Sequence, residues 1–177
     1  MRTPRIARSI RDLPSSYLDP IIAAALKQEN ILAREGWSAE PMSVLSVGAG
    51  TLALIRCSGE AHTATGVEPW SAIVKVVQPG APNRFGVNSW STPEMTEIDV
   101  YQSDLFARRE GSFRGARCFL VDEREGGIFW LWLEDLSNYS GTNWSAAQYL
   151  ETARGIGRFR GSWSREETQR IEGRSPT

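Results

Sequence analysis

The run Ala72-Ile73-Val74-Lys75-Val76-Val77 decides how the chain is read. Its β-branched residues argue for a strand, and Pro79, Gly80 and Pro82 end it. Inside so apolar a strand Lys75 must reach the sheet edge, face solvent or meet an anion, because an unpaired buried ammonium is costly. Working backwards, Ser43 to Val47 and Leu52 to Cys57 are two further β-type runs. Gly48-Ala49-Gly50 between them reads as a hairpin turn. A polar, glycine-containing stretch, Ser58 to Pro69, separates these runs from the lysine strand.

Further out, Leu18, Ile21, Ile22, Ala25 and Leu26 fall at helical spacing, which predicts a helix from Ser16 to Leu32 capped by Ser15 or Ser16. After the lysine strand, Asn83 to Ser91 reads as a loop. A second helix is expected from Ser91 or Thr92, with Pro93 and the acids Glu94 and Glu97 early in it and Ile98, Tyr101 and Leu105 as its apolar stripe. Arg117 to Val121 and Ile128 to Leu133 read as strands joined by Glu125-Gly126-Gly127, and Trp144 to about Trp163 as a last helix with Ser145 near its start. Strands joined by tight turns favour an antiparallel sheet, hence an α+β domain.

Composition narrows the function classes. The 177 residues suit one ordinary domain or a domain plus a short tail, and 41% apolar content is enough for a core. A net charge of -1 gives no global field toward nucleic acid or membrane. The late arginines, Arg154, Arg158, Arg160, Arg165, Arg170 and Arg174, are interleaved with Glu151, Glu166, Glu167 and Glu172, the pattern of a solvated face. Cys57 and Cys118 are far apart and lie in apolar runs, which reads as reduced, buried thiols. His62 has no Cys or second His nearby, so no zinc site is expected. No run is long enough to span a bilayer. Arg2, Arg5, Arg8 and Arg11 could pass for a transit peptide, but Pro4 and Pro14 interrupt a continuous amphipathic helix. Residues 1–14 therefore read as a solvated lead-in, and the location as cytoplasmic.

Four features in order suggest a nucleotide site. Gly48 and Gly50 would let a turn approach a phosphate, although hairpins use glycine for conformational reasons alone. Lys75 would hold phosphate oxygens. Glu97 lies 22 residues later on the following helix, where its carboxylate could fix that ammonium. The strand Trp130-Leu131-Trp132-Leu133 runs into Glu134-Asp135-Leu136, which could meet an adenine edge or could simply be a buried strand ending in a polar turn.

Together these residues resemble the aminoglycoside phosphotransferase and choline-kinase-like group of the protein-kinase-like fold. The likeness rests on residues 70–77, on Glu97-Ile98-Asp99-Val100-Tyr101-Gln102-Ser103, on Ala116-Arg117-Cys118 and on residues 130–136, with Gly155 to Gly161 similar to the helix after the hinge. The resemblance implies an amino-terminal lobe with a five-stranded antiparallel sheet, a packed helix of the αC type and flanking terminal helices. That lobe would span residues 15–136, residues 137–163 would be the hinge exit and first helix of a further lobe, and 164–177 a polar tail. It also implies ATP with Mg²⁺, Lys75 and Glu97 at the phosphates, Gly48 and Gly50 in the covering turn, and Glu134, Asp135 and Leu136 as hinge.

There are departures from the pattern. Ala53 stands where a third glycine could fall. The only histidine precedes Lys75, and no Asn has an Asp five positions before it, so the catalytic loop of phosphoryl transfer has no counterpart. No metal ligands are identified. The expectation is a nucleotide-side lobe with weak affinity, inactive alone, whose catalytic lobe is absent. The alternative is a non-catalytic interaction module that docks a missing lobe or a protein partner on the exposed sheet face and the final helix, with Trp144, Leu150, Ile156 and Phe159 as candidates.

Overall fold

A computed structural model describes residues 3–33, 36–43, 50–80, 97–103, 115–137 and 144–161. The chain divides into two compact units, Met1–Trp90 with Ala116–Asp135, and Ser91–Gly115 with Leu136–Thr177.

In the first unit, helices α1 (Thr3–Arg11) and α2 (Ser15–Leu26) precede strands β1 (Leu32–Ala33), β2 (Ser38–Pro41), β3 (Thr51–Thr63), β4 (Gly66–Val77), β5 (Cys118–Arg124) and β6 (Ile128–Glu134). All pairings are antiparallel. Five strands run in the order β1-β3-β4-β6-β5, and β2 also pairs with β3, making six in all. The α+β class and the antiparallel five-strand path thus stand, with β2 as an addition.

Alternation along the strands builds the core. Ile55 and Cys57 of β3, Ala72, Val74 and Val76 of β4, and Trp130 and Trp132 of β6 share one buried cluster with Ile6, Ile10, Leu18, Ile21 and Ile22 of the two helices. One sheet face is therefore covered by α1 and α2.

Three sequence expectations are corrected. Residues 1–14 are no simple lead-in, because α1 buries Ile6, Ala7 and Ile10. Pro4 is harmless in the first turn, where its missing N–H would have had no helical partner. Second, α2 stops at Leu26 rather than Leu32. Lys27 takes a left-handed conformation at φ 57° and its N–H bonds the Ala23 carbonyl, and Asn30 is also left-handed at φ 55°. Third, the polar stretch from Ser58 to Pro69 is strand. Pairing continues from Cys57↔Ala72 to Thr63↔Gly66, around a turn at Ala64 and Thr65.

The second unit contains α3 (Glu97–Gln102) and α4 (Ala146–Gly161). Ser145 starts α4 with a reciprocal cap. Its hydroxyl accepts from the Gln148 N–H at 3.3 Å, while Gln148 Oε1 accepts from the Ser145 N–H at 2.8 Å. Trp144 packs on Tyr149 across that cap, ring centroids 5.4 Å apart. The expected strand over 44–47, the loop at 83–91, the helix start at Ser91 to Glu94, Leu105, Trp163 and the 164–177 tail lie outside the described residues.

Candidate functional site

The lysine strand sits mid-sheet, so Lys75 is not an edge lysine. β4 has β3 on one side and β6 on the other, with Lys75 opposite Leu54 and Leu131. Since Val74 and Val76 point into the helix-covered core, Ile73 and Lys75 belong to the opposite face. Lys75 is half-buried there. Leu131 and Leu133 share that face and are 0% and 8% exposed.

β6 ends beside the lysine strand, with Glu134 opposite Ala72. Both acids at this end have arginine partners. Glu134 Oε1 lies 3.5 Å from Arg117 Nη2, and Glu134 Oε2 accepts from the Arg117 N–H at 3.2 Å. The Glu134 N–H in turn donates to the Arg117 carbonyl at 2.8 Å, so that backbone donor is committed to the β5 side. Arg117 also reaches the Ala24 carbonyl at the end of α2. Asp135 Oδ2 lies 3.2 Å from Arg56 Nε, and the Asp135 side chain is 7% exposed.

Gly50 enters β3 at φ +80°, and a Cβ there would meet the Gln78 carbonyl oxygen at 3.0 Å. Its own carbonyl accepts from the Gln78 N–H at 2.8 Å. Conformation and close approach explain this glycine without a ligand. Gly48 lies outside the described residues. Glu97 opens α3, and both Glu97 and Leu136 belong to the second unit. The first unit thus places Lys75 and Arg56 on one face of the sheet, with Asp135 paired to Arg56, and Glu134, opposite Ala72, on the helix-covered face.

Arg56 and Arg117 are site residues that sequence reasoning missed. Arg56 carries the same signal as Lys75, a cation in an apolar strand, but its partner is visible only through the pairing register. Arg117 gives no comparable signal.

On the helix-covered face, a second polar group is structural. The Tyr17 hydroxyl donates to Asp122 Oδ2, which also pairs with Arg124. Arg124 stacks over Trp130 at 4.2 Å and over Tyr17 at 5.4 Å. Burial and the Asp122 carboxylate push the Tyr17 phenol up to about 12. Burial pushes the Cys57 thiol up to about 12, as suits the inert core thiol expected. Cys57 and Cys118 are both free thiols, Cys118 only partly buried. The Glu68 carboxylate is lowered by hydrogen bonds from Gln28, Thr65 and Thr63. Among the described residues no group of three or more His, Cys, Asp or Glu is placed to hold a metal ion. No described helix is long and apolar enough to cross a membrane. No protein family, no curated protein and no solved structure matches the chain.

Proposed function

We propose that the chain carries the nucleotide-side lobe of a kinase-like small-molecule phosphotransferase and binds ATP. The observation that carries this is the pairing of β4 with β6. A lysine in the middle strand, a glutamate opening the next helix in sequence, and a strand that returns beside the lysine before ending in Glu134-Asp135 follow the order of parts that phosphoryl-transfer sites of this kind use. Lys75 would take the phosphates, and Glu134 and Asp135 would meet the base. Because the Glu134 N–H is already bonded to Arg117, base contacts fall to the Glu134 carbonyl and to Asp135. Magnesium enters only as the companion of ATP, since the described residues offer it no ligand set.

The reading predicts measurable ATP binding by calorimetry that Lys75→Ala weakens about tenfold or more, the size expected for a hydrogen bond to a charged group. Unchanged affinity in Lys75→Ala would remove the lysine from the site and the reading with it.

A second reading is favoured by α4. Tyr149, Leu150 and Ile156 are 60%, 52% and 43% exposed, which suits a non-catalytic interaction module.

A further inference from the structure

Ala146, Tyr149, Ala153 and Ile156 follow one another along α4 at spacings of three, four and three residues. At about 100° per residue they line one side of the helix, as a seam of the heptad kind. All four are exposed, Tyr149 at 60% and Ile156 at 43%. Glu151, Arg154 and Arg158 fall on the other side, where Arg154 Nη1 stands 3.8 Å from Glu151 Oε2. The next position in the repeat is Arg160, so the apolar seam ends at Ile156. Its start is fixed by the Ser145–Gln148 cap and by Trp144 packed on Tyr149, the hydrophobic staple of a helix start.

Sizes along the seam run small, large, small, large, and that order decides the occupant. Turned end for end against a second copy, Ala146 faces Ile156 of that copy and Tyr149 faces its Ala153. Every layer then sets a large side chain against a small one, as interdigitating helices require. A parallel copy would set Tyr149 on Tyr149 and Ala153 on Ala153, alternating crowded layers with gaps. Gly157 fits the antiparallel arrangement too. A Cβ there would meet nothing within 4 Å among the described residues, although glycine inside a helix costs stability. Against a second copy it would lie beside Trp144 and Ser145 of that copy's cap, where a larger residue holds the helices apart. We propose that α4 docks antiparallel on the α4 of a second copy of this chain. The proposal rests on the interaction reading of α4 and names its partner. Four seam residues a side are fewer than the ~20–30 of a stable interface, so the pair is weak and forms at micromolar concentration.

Sedimentation equilibrium of the full chain tests the pairing, with binding of an apolar dye read on the same samples. The wild type is expected to pass reversibly from monomer to dimer as concentration rises. Ala153→Leu adds apolar surface but sets Leu against Tyr149 of the second copy. Association should therefore weaken about tenfold or more, the size of overpacking a closed layer. Leu is a strong helix former, and the variant keeps the cap and the Trp144 contact, so a lost helix does not account for that result. Adding Tyr149→Ala again sets a large residue against a small one and should bring association back to within about threefold of the wild type. Association strengthened or unchanged in Ala153→Leu, or not recovered in the double variant, overturns the pairing. A monomeric wild type that binds the dye also overturns it and leaves the interaction reading with another partner. A monomeric wild type that binds no dye overturns both.

Discussion

Gly59 has an ordinary backbone conformation, yet a side chain there collides. A Cβ would stand 2.8 Å from Trp37 Cβ and 3.1 Å from Trp37 Cα. The second of these atoms is backbone and cannot rotate aside. Trp37 is held in turn against Trp70, centroids 6.3 Å apart, and the Trp70 indole N–H donates to the Glu60 carbonyl at 3.3 Å. Gly59→Ala is therefore expected to cost about 1–3 kcal/mol, the range for overpacking a closed site, read as a lower urea midpoint with unchanged slope. A glycine in a polar stretch looks like a turn marker, and here it makes room for a tryptophan. Nothing near Gly59 in sequence announces that, because Trp37 arrives from a distant part of the chain.

Among the elements, α2 and β5 are tied by one side-chain clasp. Tyr17 donates to Asp122, and Arg124 braces both the carboxylate and the phenol ring. Tyr17→Phe should destabilise the protein by about 1–2 kcal/mol, the size of a hydrogen bond to a charged acceptor with a second partner left in place. The pH dependence has a definite sign. The folded-state value of about 12 lies above the ordinary phenol value of 10.0, so the stabilisation is complete below pH 10 and is lost as pH rises from there through 12. An alkaline unfolding series should show the gap between wild type and Tyr17→Phe closing in that window, and a constant gap would place the phenol's stabilisation elsewhere.

Elements are legible in the sequence where an apolar run rich in β-branched or aromatic residues is bounded by turn residues. Ala72 to Val77, ended by Pro79 and Gly80, announces β4, and Trp130 to Leu133, after Gly126 and Gly127, announces β6. The second half of β3 is not legible, because its outward residues Ser58, Glu60 and His62 are polar and one inward position is Gly59. The end of α2 is equally silent, because a left-handed Lys27 has no side-chain signature. In the candidate site, Lys75, Glu134 and Asp135 stand out by chemistry alone. What neutralises the two acids cannot be read from sequence, because Arg56 and Arg117 reach them only through long-range pairing.

At the scale of the whole chain, three of the five exposed large apolar side chains among the described residues belong to the second unit. α4 is well capped by Ser145 and Gln148, but Tyr149, Leu150 and Ile156 remain open. If the face shared by Tyr149 and Ile156, seven residues apart, is an interaction surface, Tyr149→Ser with Ile156→Ser should lower the binding of an apolar dye and any concentration-dependent association, while leaving ATP affinity unchanged. Equal dye binding in the variant would send the interaction reading elsewhere. The β3–β4 ribbon has a different consequence, in time instead of space. Its 13- and 12-residue strands are joined by a two-residue turn, so every contact along it can form by zipping outward from Ala64 and Thr65. Each step adds little loop-closure entropy, and hairpins of this kind form in about 1–10 μs. β6 must instead cross the fifty-residue gap between Val77 and Ile128 before it can pair. In a folding chain the lysine strand thus acquires its β3 neighbour early and its β6 neighbour late, and closing that second seam is the slower step.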